Sequence, residues 1–125
     1  MANMKTIQFE LDPGGNDVSI DLLKGQLQAA AFGFELKNGS GVSVEQLADD
    51  DGHTSSIQRI LVGRPGKELE DHSLEVIGML GTLGSADGQN YSVTLDVKQG
   101  THAEQAILAG TLDQAIEAIF VVKFV

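Results

Sequence analysis

Asp49-Asp50-Asp51-Gly52-His53 is the stretch best equipped for chemistry. Three adjacent carboxylates on a polar loop offer the oxygen ligands that a hard cation such as calcium takes at flexible geometry. Asp49, Asp51 and His53 are therefore the candidate metal ligands. The spacing is not that of an EF-hand. With Gly52 in the obligatory sixth place, the first ligand position would fall on Leu47 and the twelfth on Gln58, and neither can serve. A site here would have to borrow carboxylates from another loop, with Glu68, Glu70 and Asp71 the expected donors. The opposing expectation is a solvated acidic loop, because such runs are ordinary surface features.

Other chemistry-bearing types are scattered. His53, His72 and His102 stand far apart in sequence, and a transition-metal site would need two or three of them brought together. His72 precedes Ser73, but neighbours on a strand point to opposite faces, so adjacency makes no nucleophile–base pair. There is no Gly-x-Ser-x-Gly elbow, no His-Glu-x-x-His and no dinucleotide fingerprint. Gly63-Arg64-Pro65-Gly66-Lys67-Glu68 lacks both the spacer and the hydroxyl of a phosphate loop. Pro65-Gly66 suits a type II turn instead. The absence of cysteine removes disulfides and thiolate sites.

The elements that must hold these residues read as strands. Tyr91, Val93, Leu95 and Val97 alternate with Ser92, Thr94 and Asp96, the period of a half-buried strand. Leu74 to Leu83 precedes it with lower contrast, and Asp87-Gly88 lies between, so a long antiparallel hairpin is expected from Leu74 to Val97. Ile7, Phe9 and Leu11 alternate within Lys5 to Leu11. Val18, Ile20 and Leu22 alternate with Asp17, Ser19 and Asp21, whose acids are expected to meet water. In Gln26 to Leu36, alanine permits a helix over Leu27 to Ala31, while Phe32-Gly33-Phe34-Glu35-Leu36 favours a strand. Ile57 to Val62 is a further strand.

Ser43 to Gln46, Thr101 to Glu104 and Thr111 to Gln114 have capping-box spacing. A helical turn is allowed after Ser43, as is a strand through Val42 and Val44, and Ala103 to Ala109 is a candidate short helix. Ala118 to Val125 is almost continuously apolar, which predicts a strand covered on both faces or nearly so. Together these elements predict one mostly-β domain over residues 1–125. The expected form is an antiparallel β-sandwich, or a small barrel, of about seven strands with one or two short helices.

Acidic residues outnumber basic ones by 18 to 8, a net charge of −10 that disfavours nucleic acid and anionic membrane as partners. Sparse aromatics and the lack of tryptophan argue against stacking platforms. No apolar run is long enough to span a bilayer as a helix. Cytoplasmic residence is the default expectation, with export open if a leader was removed.

Two apolar features point to contact with protein. Ala29, Ala31 and Gly33 form a low-bulk face, onto which either a large neighbour packs or another backbone approaches closely; internal packing is the ordinary expectation, and an interface is the alternative. Phe120, Val122 and Phe124 lie in a terminal strand that must be covered, either within its own sheet or by a second copy. The expected function is a non-enzymatic binding or assembly module, with a protein partner or a homo-oligomer. The alternatives are a calcium-type, metal-dependent small-ligand or carbohydrate-binding domain using loop 49–53, and a small hydrolase with a dispersed active site.

Overall fold

The computed structural model describes residues 2–12, 17–25, 29–49, 58–61, 69–81, 89–112 and 115–125. Nine strands run through them: β1 Ala2–Phe9, β2 Ser19–Gly25, β3 Ala29–Lys37, β4 Ser43–Asp49, β5 Gln58–Leu61, β6 Ser73–Gly81, β7 Gln89–Gln99, β8 His102–Leu112 and β9 Ile116–Phe124. They form two sheets, of order β1-β9-β6-β3-β4 and β5-β2-β7-β8. The architecture is a sandwich, not a closed barrel.

Alternation builds the core. Leu74, Val76 and Leu80 of β6 turn inward with Phe32, Phe34 and Leu36 of β3. Tyr91, Val93, Leu95 and Val97 of β7 meet them from the other sheet. Ala118, Phe120, Val122 and Phe124 of β9 are all buried in the same layer. Gly78 sits on the inner face of β6 because nothing larger fits. A Cβ there would lie 2.4 Å from the Phe32 ring and 2.6 Å from the Ala31 carbonyl oxygen.

The terminal strand is covered from within, as its composition demands. β9 lies between β6, antiparallel, and β1, parallel, so both its backbone edges are paired. The free edge of β1 approaches β8 of the other sheet without a hydrogen-bonded ladder. Asn3 Nδ2 donates to the Tyr91 hydroxyl at 2.6 Å across that seam. Lys5 carries its charge at an inward-parity position of this edge strand and stays exposed, a device that discourages edge-to-edge pairing.

Several expectations need correction. Leu74 to Val97 is not a hairpin: β6 pairs with β3 and β9, and β7 with β2 and β8. Each arm buries one face, and the two buried faces pack against each other across the sandwich. Seven intervening residues can span roughly 23 Å extended, against a sheet separation of about 10 Å. The expected Asp87-Gly88 turn lies outside the described residues. Strands number nine rather than about seven among the described residues, and the β1–β9 pair is parallel.

Among the described residues helical backbone is confined to Leu69, and neither expected helix forms. Ala103 to Ala109 pairs residue by residue with β7, and Ser43 begins β4, so sheet pairing overrides the capping-box spacing. Asp21 does not simply meet water: it is 8% exposed, and Lys98 Nζ lies 3.5 Å from its Oδ2.

Candidate interaction face

The five-stranded sheet presents an outer face whose centre is apolar. Register assigns the rows. Gly33, Ile77, Ile119 and Met4 lie side by side across β3, β6, β9 and β1. Ala31 and Met79 flank this row on one side, and Val121 flanks it on the other. Met4 is 60% and Met79 52% exposed, while Ile77, Ile119 and Val121 are half-buried by their neighbours. Nothing among the described residues covers the strip.

Charge borders the strip at both ends. Glu35 and Glu75 sit opposite each other on β3 and β6, one row beyond Gly33 and Ile77. Like charges so placed repel, and Lys37 Nζ answers them at 2.7 Å from Glu75 Oε2. The Glu75 hydrogen bond is the main reason the Lys37 ammonium is held above its ordinary pKa, with the Glu75 and Glu35 charges adding to it and desolvation opposing. Lys123 lies in the row of Lys37. At the other end, Glu117 pairs with Met79. Along β9 the outward residues therefore read Glu117, Ile119, Val121, Lys123: acid, two apolar side chains, base.

The outer face of the four-stranded sheet carries polar pairs beside a short apolar row, Leu23 and Ile107 on either side of Thr94. Asp21 and Asp96 are directly opposed on β2 and β7. Lys98 reaches Asp21, and Gln105 Nε2 donates to Asp96 Oδ1 at 2.8 Å. Thr111 Oγ1 donates to Asn90 Oδ1 at 3.3 Å further along.

Among the described residues, two of the hollows open at the same end of the sandwich. The larger, about 370 Å³, includes Glu10, Asp12, Gln99 and His102 in its walls. The buried Gln99 amide fixes its rim: Asp12 N–H donates to Gln99 Oε1 at 2.8 Å, and Gln99 Nε2 donates to the Asp12 carbonyl at 3.0 Å. His102 packs on the Phe9 ring at 4.7 Å between centroids and has Glu104 3.7 Å from Nε2. The second hollow, about 260 Å³, contains His72, whose Nδ1 is 2.9 Å from the Glu70 carbonyl oxygen, and Asp71, whose φ is 61°.

The sequence-predicted residues separate. Ala31 and Gly33 belong to the apolar outer face, and Ala29 lies on the same strand two residues on. Phe120, Val122 and Phe124 face the opposite way, into the core. Asp49 ends β4, opposite Gly33, while Asp51 and His53 lie outside the described residues. Glu70 and Asp71 are not placed to complete a site with Asp49. The Asp71 carbonyl is 3.2 Å from where a Gly39 Cβ would be, at the β3–β4 turn. Asp49 is at the far end of β4, opposite a β3 residue about 13 Å along the strand from Lys37. Among the described residues, no three His, Asp or Glu side chains converge as a metal site.

Ile77, Met79, Ile119 and Val121 were not singled out by composition. The available signal was parity: Lys123 and Glu117 share theirs with Ile119 and Val121, which marks that side of β9 as outward. No protein-family model, no curated protein and no solved structure matches this chain.

Proposed function

We propose that this domain is a non-enzymatic binding or assembly module, engaging protein through the outer face of its five-stranded sheet. The supporting observation is the uncovered row Gly33, Ile77, Ile119, Met4 with Met79 and Val121 beside it. An antiparallel sheet with one solvated face ordinarily alternates to polar residues there. A contiguous apolar patch bordered by charge is the usual form of a protein contact surface. A calcium-type site at Asp49, Asp51 and His53 is kept apart from this reading, because Asp51 and His53 lie outside the described residues.

A photoreactive amino acid in place of Met79, compared with one in place of Thr94 on the other sheet, tests the proposal in cells producing the full chain. A discrete adduct from position 79 alone, lost with Ile119→Lys, is the expected result. Equal yields from both positions, or none from either, would overturn it.

A further inference from the structure

The occupant of this face can be argued from the order of charges on β9. Its outward residues, Glu117, Ile119, Val121 and Lys123, read as acid–apolar–apolar–base. That order is complementary to its own reverse. A twofold axis lying in the plane between the sheets and running across the strands, between Ile119 and Val121, lays β9 antiparallel over β9 of a second copy. Each Ile119 then meets a Val121, and each Glu117 meets a Lys123. A twofold contact must be self-complementary, and this is the simplest way for a strand to satisfy that condition.

The geometry points to a second copy of this chain as the partner, stacked face to face with two reciprocal Glu117–Lys123 pairs. The inference rests on the docking face proposed above. Stacked sheets lie about 10 Å apart with strands crossing at about 30°. At that spacing a lysine and a glutamate reaching from opposite sheets can meet. β6 of one copy then overlies β6 of the other, so Ile77 comes over the stem of Glu75 and Met79 over Ser73.

Area sets the strength. Three strands at about 4.8 Å spacing, each with four outward residues at about 6.8 Å intervals, cover on the order of 400 Å² per copy. That is below the roughly 800 Å² per partner of a stable complex, so the dimer is transient. The net charge of −10 on each copy works in the same direction.

Sedimentation velocity from about 1 µM to about 1 mM of the full chain reads this equilibrium directly. The wild type should move from monomer toward dimer across the range. Glu117→Lys and Lys123→Glu should each weaken association by about tenfold, because each turns two attractions into repulsions. The double swap E117K/K123E should restore it. Restoration also shows that the variants fold, since a misfolded single variant would not be rescued by a second surface charge. A monomer throughout the range overturns the dimer, and a specific adduct from position 79 with another protein would then leave the docking face standing. A dimer indifferent to the single swaps, or one that the double swap fails to restore, overturns this arrangement.

Discussion

On the four-stranded sheet the strands turn Asp21, Asp96, Lys98 and Gln105 outward, bonded in two pairs, with Leu23 and Ile107 exposed beside them. On the five-stranded sheet the same alternation turns out Ile77, Met79, Ile119 and Val121, which gain little from water. The two faces share a core and differ in how far bonded polar pairs fill the outward parity. That difference teaches that an outer face can be organised for self-sufficiency or for a visitor. A polar network satisfies its own groups and contributes to stability. An apolar strip contributes little until something covers it.

The largest perturbation ignores the comparison. Phe120 is fully buried between the sheets, so Phe120→Ala should cost about 3–5 kcal/mol, read by urea unfolding. If both faces report the same midpoint, they belong to one cooperative unit; separate transitions would break that picture. Gly78→Ala comes next, at about 1–3 kcal/mol, because the added methyl collides with the Phe32 ring and a neighbouring carbonyl. A neutral result there would mean that β3 and β6 can separate without cost.

The third perturbation sharpens the comparison itself. Asp21→Ala should destabilise by about 1 kcal/mol, since it removes a mostly buried carboxylate from its bonded neighbours. Met79→Thr should change stability by no more than about 0.5 kcal/mol, as the side chain is half exposed and β-branched threonine suits a strand. The reverse order of effects would refute the assignment of one face to stability and the other to contact.

The smallest effect concerns pH. Lys37 has its folded-state pKa raised by Glu75, so its contribution is fully present below the ordinary lysine value of 10.5. It is lost as pH rises through the folded value. Wild type should therefore lose slightly more stability than Lys37→Gln as pH is taken above 10.5, with thermal melting as the measure.

The strands themselves were legible where alternation was clean. Tyr91 to Val97 and Val18 to Leu22 turn inward as their period predicts. Partnering was not legible. Leu74 to Leu83 and the strand after it are consecutive, and consecutive strands often pair. Nothing local distinguishes a connection that turns within a sheet from one that crosses between sheets. The capping-box spacing at Thr101 misled for a related reason: only the pairing with β7 decides against the helix. For the candidate face, Ala31 and Gly33 signalled low bulk, but the side of the sheet came only from register with Ile77 and Met79. Phe120, Val122 and Phe124 were legible as needing cover, and the cover proved to be the opposite sheet.

The position of β9 has a consequence for how the chain reaches this state. Residues 116–124 lie between β1 and β6, joining a strand from the beginning of the sequence to one from its middle. During synthesis, β1 and β6 have no common neighbour until those residues emerge. The most sequence-distant contacts therefore close last, which makes for slow folding. Until then β1 and β6 wait with bare backbone edges, the state most open to wrong partners.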